Sequence, residues 1–372
     1  MGQDVLRVLA VDDPAVKGYL DKELGIFHDC QQKVVFHTIP WADYYAELME
    51  VFTGKTEYDI VMVAGHLWLR DFVENGTLSE IDFEEEDILP VIAKEMRYQG
   101  KAYLSPSFCD GHMIVYRKSI ISQIMGKELE PVITPLEYLQ VAKSLNDVTG
   151  KRLVAMKAHE SEIFTDALPF LRMNGDDVYG EDGQPVCDSK NVIEGLQAYL
   201  DLKDFAMEGT EHFGNEEIAD AIRENKAAMA VTWSGQLGVI MEEGCVEPDD
   251  LGFSTFTAPW NVTWSFAISS GCRQKDAANA CLRYLRSSAV DKAVGRKSGA
   301  PVKGSSYVTG VAACPWFPVQ KQMMDLAKPL PSIHRSGEKN GILYKNIYQA
   351  FIGRKTVTEA MEAARQEIDA II

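Results

Sequence analysis

LRVLAVDDPAVKGYLDKELGIF (6–27), VVFHTIPWADYYAELMEVFTGK (34–55) and DIVMVAGHLWLRDFVENG (59–76) repeat one pattern, an unbroken apolar run followed by apolar residues at helical spacing. LRVLAV (6–11) reads as a buried strand, and 15–27 as a helix striped by Val16, Leu20, Leu24 and Phe27. VVFHTI (34–39) is the next strand, and a helix over about 41–53 stops at Gly54-Lys55, glycine being the residue that most easily takes the left-handed turn past a helix end. DIVMVA (59–64) is a third strand, and a helix at 67–75 stops at Gly76. This β-α-β-α-β-α order predicts a parallel sheet with helices on both faces. Ligands of such sheets sit beyond the carboxyl ends of the strands, which here are Asp12-Asp13, Pro40-Trp41 and Gly65-His66-Leu67-Trp68.

A second α/β unit follows YLSPSFCDGHMIVYRK (103–118). Thr134-Pro135-Leu136-Glu137 is a capping box with proline at the first helical position. LVAMKA (153–158) reads as a strand, 162–173 as a helix, and 174–189 as a Gly/Asp-rich loop before a helix near 190–207. A helix at 215–225, a strand AAMAVT (227–232) and a helix at 234–243 continue the alternation. The strand SFAISS (265–270) precedes helices at 275–287 and 289–297, and a last helix opens at the capping box Thr356-Val357-Thr358-Glu359.

Across 372 residues, 37 basic side chains against 55 acidic ones leave a net charge of −18, which repels phosphate backbones and anionic lipid and argues against nucleic acid or membrane-surface binding. No stretch approaches the ~20 apolar residues that span a bilayer. The opening Met1-Gly2-Gln3-Asp4 runs straight into a strand with no signal-peptide pattern. The seven cysteines are scattered, with no CxxC pair and no zinc-ligand spacing, so buried free thiols are expected in place of a disulfide framework or structural metal. Gly54-Lys55-Thr56 fails as a phosphate loop, because position 49 is methionine and the triplet precedes a strand. His159-Glu160 fails as a zinc-protease helix, because position 163 is isoleucine. Asp176, Asp177, Glu181 and Asp182 do not fall on the calcium-loop pattern and read as solvated acids. Nothing points to a catalytic nucleophile, and no cofactor is expected.

IPWADYYAELM (39–49) followed by YDIVMVAGHLWLRDFVENGTLSEID (58–82) resembles the first lobe of the family 1 extracellular solute-binding proteins, the sugar receptors of ABC importers to which maltose-binding protein belongs. GKAYLSPSFCDGHMIVYRKSII (100–121), TPLEYLQVAKSLN (134–146), NGDDVYGEDGQPV (174–186), IRENKAAMAVTWSGQ (222–236), APWNVTWSFAISS (258–270), GAPVKGSSY (299–307) and 331–369 continue the resemblance in order. It implies an α/β fold of two doubly wound lobes around a cleft, the type II periplasmic-binding-protein arrangement, with a hinge of three crossings near 108–112, 258–265 and 299–307. The implied lobes are 4–109 with 264–302, and 112–260 with 305–372. It further implies a monomeric, non-enzymatic, exported receptor, anchored as a lipoprotein, that closes on a mono- or oligosaccharide and passes it to permease subunits. The same scaffold around a polyamine or other small cation, and a carbohydrate-active enzyme, are the competing expectations.

A sugar offers apolar ring faces and many hydroxyls, so its site needs flat aromatic surfaces with carboxylates and amides between them. Trp41 and Trp68 stand at strand ends, while Trp233 follows AAMAVT, where the resemblance implies a sugar-stacking tryptophan. Trp260 and Trp264 lie at the second implied crossing and Asp110 at the first, where a carboxylate on sugar hydroxyls is implied. Of Asp12 and Asp13, one is expected to meet ligand and the other to cap the following helix. His66 could bond a hydroxyl, Glu160 is preferred over Glu162 as a sugar-binding acid, and Arg335 beside His334 could mark an acidic sugar. For each, packing or capping is the competing role.

Overall fold

The computed structural model describes residues 5–371 apart from 243, 299, 311 and 312. The opening tetrapeptide, residue 4 as a domain start, the end of the helix expected at 234–243, and Gly299 lie outside them.

Strands run at Leu6–Val11 (β1), Val34–Ile39 (β2), Ile60–Ala64 (β3), Ser105–Arg117 (β4), Val132–Ile133 (β5), Val154–Ala155 (β6), Met229–Trp233 (β7), Leu251–Phe256 (β8) and Asn261–Ser269 (β9). The helices used below are Pro14–Leu20 (α1), Trp41–Phe52 (α2), Gly65–Glu74 (α3), Pro135–Thr149 (α4), Ile163–Leu171 (α5), Lys190–Asp201 (α6), Lys275–Leu285 (α7), Ser288–Ser298 (α8), Ser336–Phe351 (α9) and Val357–Asp369 (α10).

The chain divides into two compact units. Unit 1 takes the chain up to Asp110, Val262–Phe317 and Ser332–His334, and unit 2 takes Gly111–Asn261, Pro318–Pro331 and the chain from Arg335 on. The first two passages, after Asp110 and Asn261, fall within 108–112 and 258–265. The third comes after Phe317, well past 299–307. Residues 305–310 and 313–317, assigned above to the second lobe, pack in unit 1: Ser305 N–H donates to Asp87, Tyr307 Oη donates to the Pro301 carbonyl at 2.7 Å, and the Tyr307 and Phe317 rings lie 5.1 Å apart.

In unit 1, β1 pairs in parallel with β2 and β3, and β9 pairs antiparallel to β3, with Trp264 opposite Ala64. β1 and β3 are covered on both faces, which is why they read as unbroken apolar runs. In unit 2, β4 is flanked by antiparallel β7 and β8, while β6 lies parallel to β7 and β5 parallel to β8. Both capping boxes form: Glu137 N–H donates to Thr134 Oγ1 and Glu359 N–H to Thr356 Oγ1, with each glutamate accepting from its threonine's N–H in return.

Three elements differ from expectation for local reasons. The helix expected over 15–27 ends at Leu20, because the Asp21 carboxylate takes the N–H groups of Glu23 and Leu24 and competes with the helical ladder. Gly25 then turns left-handed (φ 58°) into a single 3-10 turn at Ile26–His28. The strand expected at 153–158 is laddered only at Val154–Ala155, since the next two carbonyls accept from side chains, Met156 from Thr210 and Lys157 from Tyr199. The helix expected from 234 begins as a 3-10 turn at Ser234–Gln236 and is α-helical only over Leu237–Ile240.

Candidate functional site

Unit 1 gathers the expected residues at the carboxyl edge of its sheet. Trp41 opens α2 just past β2, Trp68 lies in the first turn of α3 just past β3, and Trp264 is opposite the last residue of β3. The Trp41 and Trp68 rings stack at 5.7 Å and 24°, and Trp264 meets Trp41 edge-on at 5.5 Å. Tyr44 and Tyr45 join Trp68 from α2, and Phe108 stacks on Trp264 at 6.4 Å. Trp68 is 8% exposed and belongs to this packing, whereas Trp41 is 51% exposed and is the most open indole of this cluster. Exposing that much of a tryptophan forgoes hydrophobic stabilisation that a stacked ligand would restore.

The acids lie at the neighbouring strand end. Asp13 is the cap, accepting the Ala15 N–H at 2.8 Å, and Asp12 is more open and pairs with Lys17 at 3.3 Å. Burial pushes Asp13 up to about 7, with the charge of Asp110 raising it further against the opposing Ala15 amide. Asp13 and Asp110 are therefore electrostatic neighbours within unit 1. His66, in the first turn of α3, is pushed down to about 3 by burial and stays neutral.

In unit 2, Trp233 ends β7 directly opposite His112 of β4, and the two rings stack at 4.8 Å and 21°. Trp260 meets Trp233 edge-on at 5.2 Å. Lys157, just past β6 and fully buried, holds its ammonium 4.4 Å from the Trp233 ring centre, 3.1 Å from Asn215 Oδ1 and 3.8 Å from Glu162. Trp233 is thus 9% exposed and turned to its own chain. Glu160 is exposed, and it is Glu162 that reaches this cluster. Arg335 sits at the start of α9 in a left-handed conformation (φ 55°) and pairs with Glu338 at 2.6 Å. His334 belongs to unit 1, where its Nδ1 lies 2.8 Å from Asp71.

Lys157 and His112 were missed in the sequence. A lysine inside LVAMKA looks like the exposed side of a strand, and its burial depends on Glu162 and Asn215 arriving from other elements. Burial holds His112 well below the usual histidine range, and neither ring nitrogen has a hydrogen-bond partner among the described residues. Such a gap costs about 1–3 kcal/mol, so a hydroxyl or a water delivered there is stabilised. Two acids of the 174–189 loop are held by their own chain: Asp177 bonds Arg172 and Lys328, and Asp176 accepts from Ser189 Oγ. A surface hollow of about 400 Å³ on unit 2, lined by Leu136, Gln140, Asp201 and Phe205 among others, contains none of the expected residues.

The architecture is that of the two-lobed maltose-binding-protein-like receptors. A maltose-bound MalE3 from T. maritima superposes with TM-score 0.86 at 19% identity, covering 99% of this chain and 100% of that one. An ABC transporter solute-binding protein of Agrobacterium vitis with bound D-mannitol gives 0.81 at 17%, covering 98% and 97%, and the GacH receptor of Streptomyces glaucescens, solved with acarbose, 0.82 at 19%, covering 98% of each. The sequence model of the bacterial extracellular solute-binding proteins matches residues 13–292, and the chain belongs to that family. A curated relative in Escherichia coli K12, YcjN, named as an ABC transporter periplasmic-binding protein, is 23% identical over 285 residues. That match spans 70% of this chain and 65% of the relative's length, just under two thirds.

Proposed function

We propose that the chain is the capture receptor of an ABC importer and that its solute is a neutral carbohydrate, a sugar or a polyol. The observation that carries this reading is Trp41, half-exposed on a stack of aromatic rings at a sheet's carboxyl edge. Trp41 stacks on the solute, Asp12 and Asp110 accept its hydroxyls, and Asp13, carboxyl-neutral over part of the physiological range, both donates and accepts. Unit 2 carries a candidate surface of its own, Trp233 with Trp260, Glu162 and the His112 nitrogens, with Lys157 fixing the Trp233 ring. The ligands bound by the structural relatives, maltose, D-mannitol and acarbose among them, support the solute class. Delivery to a membrane permease, an extracellular or periplasmic location with a lipid anchor, and the lack of turnover belong to the same proposal.

The competing polyamine reading leans on the same acids. A carboxyl raised to about 7 beside a second carboxylate is a poor cation holder near neutral pH unless the cation itself restores its charge. Calorimetry against a panel of sugars, polyols and polyamines decides between them. Trp41→Ala is expected to weaken the wild-type ligand at least tenfold while leaving the melting temperature within a few degrees. Undiminished affinity in that variant rejects the assignment of the site, and reproducible cleavage of an oligosaccharide rejects the receptor reading itself.

A further inference from the structure

The cysteines differ in what their sulfurs meet. Cys109, Cys187, Cys245 and Cys314 donate to the carbonyls of Pro301, Met361, Val246 and Arg296, and Cys272 donates to Asp59 at 3.3 Å. Cys30 donates to Gln32 Oε1 at 3.8 Å and has Cys281 as its sulfur neighbour, although one precedes β2 and the other lies on α7. Two further contacts hold that geometry. Tyr284, one helical turn past Cys281 and so on the same face of α7, donates its hydroxyl to the Ile26 carbonyl. The turn carrying Cys30 is closed by Cys30 N–H on the Phe27 carbonyl at 3.4 Å, and Phe27 packs on Phe36 of β2 with ring centres 5.5 Å apart. Cys281 is fully buried and Cys30 partly open. We propose that Cys30 and Cys281 are a modification site, an oxidisable pair that closes to a disulfide and ties the β1–β2 connection to α7 within unit 1.

The chemistry follows from the asymmetry of the pair. Cys281 beside it favours the Cys30 thiolate, and Cys30 is the partly open residue of the two. Cys30 attacks a small-molecule disulfide, forms a mixed disulfide and expels one thiolate. Cys281 then gives its proton to solvent, and its sulfur displaces the second thiolate as the protein S–S bond forms. Two protein thiols are oxidised and one external disulfide is reduced to two thiols. The neighbouring Cys30 sulfur and burial both oppose ionisation of Cys281, so the second displacement is the slower step.

The test exposes the full, folded chain to hydroxyethyl disulfide, quenches with acid, and counts thiols after denaturation with peptide mapping. The expected result is loss of two of the seven thiols, a cross-linked peptide joining Cys30 to Cys281, and reversal by dithiothreitol. Cys281→Ser is expected to stop at a stable mixed disulfide on Cys30, and Cys30→Ser to keep its remaining thiols. Seven thiols surviving in the wild type, or a cross-link between any other pair, overturns the proposal. So does a Cys281→Ser variant whose adduct is no more abundant than the wild type's. None of these outcomes depends on whether the protein binds a carbohydrate.

Discussion

At the end of β1, Asp13 accepts the Ala15 N–H at 2.8 Å while burial and the neighbouring Asp110 hold its proton up to about 7. In the unfolded chain the same carboxyl ionises near its ordinary value of 3.8. Between roughly pH 4 and pH 7 the folded state therefore keeps a proton that the unfolded state has lost, and stability falls as pH rises through that window. Asp166 at about 7 and Asp291 at about 6 act with the same sign, so the wild-type slope alone does not isolate Asp13. Asp13→Asn does, because the amide oxygen still caps α1 without titrating. Urea unfolding at pH 4 and pH 8 is expected to show the variant gaining about 1–2 kcal/mol on the wild type between the two, a figure reduced for the solvent that reaches this half-buried group. A gap that stays constant with pH counts against the burial argument. Single residues were also where the sequence was least complete. Trp41 and Trp68 could be read from their place after strands, but Lys157 and His112 gain their setting from partners 5 to more than 100 residues away, which no local pattern encodes.

At the scale of elements, helix α6 approaches α5 so closely that a Cβ on Gly195 would stand 2.2 Å from the Phe170 carbonyl oxygen and 2.9 Å from Leu171 Cα. Both are backbone atoms and cannot swing aside. Gly341, in the exposed flank of α9, has nothing within 4 Å of the same atom. The two glycines therefore give opposite signs for one substitution. Gly195→Ala is expected to destabilise by about 1–3 kcal/mol through overpacking. Gly341→Ala is expected to stabilise by about 0.5–1 kcal/mol, since only the helical cost of glycine is removed. Thermal melts of both variants check the pair, and a Gly195→Ala protein as stable as the wild type would show that the helices separate freely. Strands and capped helices were legible because β1, β2 and α4 carry their own signals, an apolar run or a Thr-Pro-x-Glu start. The broken first helix was not, because Asp21 supports a turn as readily as a helix and only the structure shows which amides its carboxylate takes.

At the scale of the molecule, the two-unit division was legible as two separate α/β series, while the third passage was misplaced because the segment before it docks through Ser305 on Asp87 and Tyr307 on Pro301 and Cys109, partners elsewhere in unit 1. Net charge offers a separate handle on the solute. A chain at −18 attracts any cation over a distance set by ionic strength, about 10 Å at 0.1 M salt and about 3 Å at 1 M. A cationic ligand held by Asp12, Asp13 and Asp110 would lose much of its affinity across that range, on the order of tenfold or more. A neutral sugar stacked on Trp41 carries no charge to screen, and its Kd is expected to move less than about threefold between low and high salt. The shift in melting temperature offers the same comparison without a calorimeter, since a ligand at 100 times its Kd adds about 2.7 kcal/mol to the folded state whatever its chemistry. Running a sugar and a polyamine at both salt concentrations separates the readings: a sugar shift that persists in salt supports the carbohydrate site. An amine shift that collapses in salt, with every sugar silent, transfers the acids at the end of β1 to a cation.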